Sequence, residues 1–407
     1  LEARPIDDPE DPVQGYDTVE VRQGDTVKRL KPADATEEAT LRLWAGPFPL
    51  SDARNTGNAW LRLYALDAKT GATVLYFRFV NGMRGTESDA VNREYLNAYG
   101  GFHDDPFFPY QAGLLGKPLY EGGDGTAEKR VLETIDLDMQ FSERSFVWGL
   151  TQKPDLVFHY TPQTDSAGHC WMGLLDPQCP GYDASLAAKI WPYYEAVYRA
   201  QDRWLQRMRI AAGPGTVFAL VADHGMEGVS RNVALNIALE KAGLLVITDG
   251  KIDLTKTKVC APPWSDFALV VNSREWKGGI VPPSEKAAVL REARKALSAI
   301  LDPESGKRVV TRFWTPREVA NVGAGGPAGG DLYLDFLKGY YPSTRLTGDV
   351  TPRYGDPRRG GVHGFHPKRR SMKAIFYVGG DAAIPKRNVG DIRVIDIQAI
   401  LWKLMGW

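Results

Sequence analysis

Apolar and polar residues alternate over Ala59-Trp60-Leu61-Arg62-Leu63-Tyr64-Ala65-Leu66 and again over Thr73-Val74-Leu75-Tyr76-Phe77-Arg78-Phe79-Val80. A period of two marks a half-buried strand, and the turn-forming run Asp67-Ala68-Lys69-Thr70-Gly71-Ala72 between them predicts a hairpin. The remainder of residues 1–130 is rich in Gly, Pro and Asp, so this stretch reads as a β-rich module. Dense punctuation over residues 99–109 predicts a surface crossing after the hairpin.

Beyond Glu128 the period changes. Residues 127–150 carry helix-like spacing, and Pro154-Asp155-Leu156-Val157-Phe158-His159-Tyr160 predicts a short buried strand. Asp183 stands as N-cap to a long helix whose apolar positions Leu186, Ile190, Tyr194, Val197, Leu205 and Met208 recur at three- and four-residue steps. Pro192 falls inside that helix and predicts a kink or a delayed start. Gly213-Pro214-Gly215 ends it, and Thr216-Val217-Phe218-Ala219-Leu220-Val221-Ala222 reads as a strand buried on both faces of a parallel sheet. Helices near residues 233–242, 284–300 and 395–405 then alternate with strands near 244–248, 267–271 and 371–378, with a Gly- and Pro-rich interruption over 322–361. The alternation predicts an α/β sheet covered by helices.

The 407 residues suffice for a large core, or for a core domain and a second module. Lys plus Arg equals Asp plus Glu at 50 each, so no net field draws the chain to an anionic membrane or into a nucleic-acid groove, and the expected partner is small or local. No run approaches the roughly 18 to 20 apolar residues of a membrane span. The opening Leu1-Glu2-Ala3-Arg4-Pro5-Ile6-Asp7-Asp8-Pro9 resembles neither a signal peptide nor a folded start, so the expectation is that something upstream was removed or never included. Of three cysteines, Cys170 and Cys179 lie close together. Buried thiols and a local disulfide fit them equally, and the disulfide would favour an exported protein.

Three of the six histidines stand beside carboxylates or glycines where predicted strands end. In Thr164-Asp165-Ser166-Ala167-Gly168-His169 the i to i+4 spacing places Asp165 and His169 on one face of a helical turn, a carboxylate and an imidazole suited to zinc. In Val221-Ala222-Asp223-His224-Gly225-Met226 the pair Asp223 and His224 ends the apolar strand, where open α/β sheets gather ligands, and Gly225 allows a tight turn. His363, in Gly360-Gly361-Val362-His363-Gly364-Phe365-His366-Pro367, adds a third segment. Taken singly, each fragment is more readily a turn or a helix cap. Their order is what points to a metal.

Fragments and order together resemble the alkaline phosphatase superfamily, in particular its type I phosphodiesterase and nucleotide pyrophosphatase branch, over about residues 153–407. The resemblance implies an alkaline phosphatase-like α/β sheet covered by helices over residues 131–407, with residues 1–130 as a β-rich inserted module on its N-terminal side. It further implies Asp165, His169 and His363 as ligands of one zinc ion, Asp223 and His224 as ligands of a second, and a small phosphoester substrate. In this family a Thr or Ser nucleophile and a further Asp lie upstream of the Thr-Asp-x-x-Gly-His segment. Residues 1–160 hold no apolar strand ending in Asp-Gly before such a turn, so a companion N-terminal segment is expected to supply them. The alternative is a non-catalytic remnant or assembly subunit of this fold that binds through its β-rich module. A phosphomutase or sulfatase relative is the third reading, since Asp-His-Gly recurs in those branches. Exported relatives imply a periplasmic or extracellular location.

The remaining polar residues near these motifs receive plainer readings. Thr161, Gln163 and Thr164 shape a loop or meet substrate oxygens. Asp331, Tyr333, Tyr340 and Tyr341 resemble the family's later strand and loop without an assigned role. Arg358, Arg359, Lys368, Arg369 and Arg370 flank His363 and either attract a phosphate diester or, by default, form a solvated basic face. His366 is expected behind the ligands, and His103 and His159 as structural.

Overall fold

The computed structural model describes residues 1–12, 14–33, 40–51, 56–81, 90, 94–95, 105–263, 267–326, 329–353, 360–380, 384 and 388–406. His103, Arg358, Arg359 and most of the predicted crossing over residues 99–109 lie outside them. The chain divides into two units, one of residues 1–166, 192–217 and 380–383, the other of residues 167–191, 218–379 and 384–407.

In the first unit β1 (Glu2–Ile6), β2 (Thr18–Gln23) and β3 (Thr26–Leu30) form one antiparallel sheet, and β4 (Trp44–Ser51), β5 (Thr56–Leu66) and β6 (Thr73–Asn81) form another. The predicted hairpin is β5 and β6. Leu66 pairs with Thr73, and the Asp67 carboxylate accepts the backbone N–H groups of Thr70 at 2.7 Å and Lys69 at 3.0 Å. Val19, Val21, Phe48, Leu61 and Leu63 fill the core of this module. After α1 (Phe107–Gln111), the predicted helix appears as α2 (Thr126–Thr151). It is tied to the hairpin by Arg62 to Glu133 at 3.0 Å and Arg78 to Asp138 at 3.1 Å, both with buried side chains.

Residues 154–160 do not form the predicted strand. Leu156, Phe158 and Tyr160 are 64, 91 and 64 % exposed, and no described strand offers this segment a ladder. Without a neighbouring strand, the apolar side chains of an extended segment have no sheet to rest on. Two helices follow, α3 (Gln163–Leu175) and α4 (Ala184–Ala212). Asp183 caps α4 as expected, its carboxylate accepting the N–H groups of Ser185 at 2.8 Å and Leu186 at 3.2 Å. The helix runs through Pro192, and the division between units falls there. Ile190, Tyr194, Val197 and Met208 of the predicted stripe are buried.

The second unit contains β7 (Phe218–Val221), β8 (Glu227–Ala234), α5 (Leu235–Lys241), β9 (Ile247–Thr248), β10 (Lys251–Ile252), β11 (Val259–Cys260), β12 (Ala268–Val271) and α6 (Lys286–Ser298). It continues with β13 (Val310–Trp314), α7 (Pro316–Ala320), β14 (Leu332–Phe336), β15 (Gly339–Ser343), β16 (Gly360–Val362), β17 (Phe376–Gly379) and α8 (Ile397–Met405). Its larger sheets run β11-β12-β14-β13 and β15-β8-β16, around a core that includes Val229, Val233, Leu239, Leu269, Leu297 and Phe336.

The mixed α/β character agrees with expectation, and the described strands fall into several separate sheets. Among the described residues β15 to β8 is the only parallel ladder. The apolar strand expected to be buried on both faces is β7, which among the described residues pairs antiparallel with β17 alone and leaves Leu220 and Val221 exposed. Nor is the span 322–361 a plain interruption. It holds β14 and β15, and in β14 Leu332, Leu334 and Phe336 are buried while Tyr333 and Asp335 are half-buried. That period of two is obscured in the sequence by the glycines on either side. No described helix is long and apolar enough to cross a membrane.

Candidate metal centre

Helix α3 carries Asp165 and His169 one turn apart, so both side chains leave the same face. Further along the helix the backbone meets β16. A Cβ on Gly361 would stand 2.1 Å from the Gly168 carbonyl oxygen, which only glycine permits. That close approach lets His169 Nδ1–H donate to the Gly361 carbonyl at 2.7 Å.

The second segment is the turn between β7 and β8. Gly225 was expected to supply backbone freedom, but its role here is steric: a Cβ would stand 2.0 Å from the Ser371 carbonyl oxygen, while Gly225 N–H donates to Met372 O at 3.2 Å. Asp223 stays exposed, with a carboxylate oxygen 3.5 Å from His224 Nε2, and His224 Nδ1–H donates to Gly225 O at 3.0 Å. The third segment follows from register. β16 runs antiparallel to β8 with Val362 opposite Glu227, so His363 emerges just past the ladder, beside the turn that holds His224.

The three imidazoles therefore converge. The His224 and His363 rings stack with centroids 3.6 Å apart and planes 16° apart, and the His169 ring centroid lies 5.1 Å from that of His363. A carbonyl oxygen only accepts, so His169 and His224 each carry their proton on Nδ1 and present Nε2 as the lone-pair nitrogen. Fixing an imidazole through its other nitrogen is how protein metal centres orient histidine ligands. Imidazole nitrogens with neighbouring carboxylates fit zinc or a similar divalent ion.

Other singled-out residues have structural partners. Thr161 Oγ1 donates to Gln201 at 3.0 Å, and Gln163 accepts from the same side chain at 3.4 Å. Asp331 holds Lys286 at 2.7 Å and the Val271 N–H at 2.8 Å, and Tyr333 accepts the Gly330 N–H. Tyr340 donates to Asp302 at 2.5 Å, and Tyr341 meets Phe267 edge-on. His366 stacks on Trp314 at 4.2 Å, and His159 lies against Trp204 and Phe146. Cys170 and Cys179 are buried thiols without a disulfide.

Lys368 and Arg370 are exposed, in keeping with a solvated face, but Arg369 is not part of one. It pairs with Glu227 at 2.6 Å and Asp335 at 2.5 Å, a role that sequence reading missed because its partners are remote in the chain. An open depression of about 770 Å³ lined by Gln178, Glu227, Thr311, Lys338, Arg369 and Arg370 among others contains none of the histidines.

A family model described as type I phosphodiesterase / nucleotide pyrophosphatase matches residues 48–366, which include all five expected ligands. No curated protein matches the chain.

Proposed function

Because the chain belongs to the type I phosphodiesterase / nucleotide pyrophosphatase family of the alkaline phosphatase superfamily, we propose that it hydrolyses phosphate esters, of the phosphodiester or nucleotide pyrophosphate type, with two zinc ions. The ligands in this reading are Asp165, His169, Asp223, His224 and His363. The observation that carries it is the convergence of the imidazoles of His169, His224 and His363, two of them with Nδ1–H engaged by a carbonyl. A metal held there would serve as a Lewis acid toward a phosphoryl oxygen. His169 and His224 orient their Nε2 atoms for it, and the Asp223 carboxylate places negative charge beside His224.

In this proposal the nucleophile comes from a companion segment outside residues 1–407. The exposed apolar pair β7 and β17 supports that assignment, because β7 runs directly into Asp223 and His224. A strand added along β7 would deliver its end to the same place.

Zinc per chain, measured by elemental analysis with the intact mass, is the first test. The proposal expects two zinc ions and hydrolysis of a nitrophenyl phosphodiester once the companion segment is present. A zinc-loaded full-length polypeptide inert to diesters, monoesters and sulfate esters alike would leave the non-catalytic reading.

A further inference from the structure

We infer that a charge cluster in which Arg369, half-buried, joins the buried Glu227 is the device that sets the spacing of His224 and His363, so that Glu227 and Arg369 are positioning residues for the centre proposed above. Glu227 opens β8 three residues after His224, and its register partner Val362 immediately precedes His363. Its carboxylate, only 4 % exposed, accepts from Arg369 Nη1 at 2.6 Å and from Ser371 Oγ at 2.6 Å. Arg369 reaches in three directions. Its Nε and Nη2 donate to Asp335 on β14 at 3.0 and 2.5 Å, Nη2 also donates to the Phe336 carbonyl, and its guanidinium lies 4.2 Å from the centroid of Phe365, two residues past His363.

The next residues close the arrangement. Ser371 O abuts Gly225 and Met372 O accepts its N–H, so the segment that carries Arg369 also holds the turn that carries His224. One side chain thus connects β8, β14 and the flank of His363, and the paired backbones leave the two imidazoles stacked at 3.6 Å. The planar fork of arginine holds its two carboxylates in a fixed geometry, which the flexible point charge of a lysine ammonium does not reproduce.

The inference rests on the metal reading for its purpose but is testable without metal. In histidine-labelled, metal-free protein, the stacked rings of His224 and His363 should give a ring-to-ring nuclear Overhauser effect. Arg369→Lys should abolish it and weaken cobalt(II) binding at least tenfold, with a changed visible absorption band. Ser371→Ala, which removes a single hydrogen bond, should produce a smaller change in the same direction. Arg231→Lys loosens a different ion pair of the same unit, Arg231 with Glu304, and should leave both readouts as in the parent. An unchanged Overhauser effect in Arg369→Lys overturns the inference, as does an equal loss in Arg231→Lys. Absence of cobalt uptake by the parent protein counts against the metal reading alone, and the Overhauser comparison still decides on the clasp.

Discussion

Single residues near the centre act through the atoms they exclude as much as those they contribute. Gly225 and Gly361 were legible as glycines beside the proposed ligands, but the carbonyls of Ser371 and Gly168 that require them belong to segments far off in sequence. His159 shows the same dependence. Burial against Trp204 and Phe146 holds its pKa below the ordinary 6.5, partly offset by hydrogen bonding with the backbone of Tyr160 and Ser142. The unfolded chain thus binds this proton more readily, and the residue's contribution to stability, complete above pH 6.5, is lost as pH falls toward the folded pKa. Urea unfolding should show a midpoint that drops between pH 7.5 and 5.5, with a shallower drop in His159→Phe. His366, also lowered chiefly by burial, acts in the same direction and should leave part of the slope in that variant.

Elements with local causes were readable in advance. The β5 and β6 hairpin, α2 and the Asp183-capped α4 follow from periodicity, a turn and a cap, all within a few residues of each other. β8 escaped notice because Glu227, Ser230, Arg231 and Asn232 interrupt its apolar positions. β7 presents the opposite case: its composition implies burial, yet Leu220 and Val221 are exposed and among the described residues only β17 pairs with it. Val221→Lys should therefore alter the stability of this chain by less than about 0.5 kcal/mol, as an exposed substitution does. The same change should abolish recovery of hydrolysis when the companion segment is added. Thermal unfolding and a phosphodiester assay on one preparation check both, and full recovery of hydrolysis would remove β7 as the docking strand.

For the molecule as a whole, a cation that binds only the folded state must stabilise it by mass action. Zinc at a hundredfold excess over its dissociation constant should add about 2.7 kcal/mol to the unfolding free energy, reversed by a chelator. His169→Ala should lose that gain, since it removes the imidazole oriented by Gly361. A zinc-dependent rise in denaturant midpoint that survives in His169→Ala would place the ion elsewhere. Acidic residues alone are no guide to such a place: Asp8, Asp11 and Asp17 cluster in the first unit, but Lys31 already sits among them.

By itself the sequence determined the helical and hairpin segments whose causes are local, and the ordered Asp and His motifs that mark the candidate centre. Periodicity, caps and i to i+4 spacing are properties of neighbouring residues, so they survive without knowledge of the fold. Only the tertiary structure decided that His224 stacks on His363, that Gly361 orients His169, and that Arg369 joins Glu227 to Asp335 instead of facing solvent. It also decided that β7 and residues 156–160 leave apolar side chains exposed. Each of those outcomes depends on which distant backbone comes close enough to pair or to exclude water, and the period of a strand carries no information about that partner.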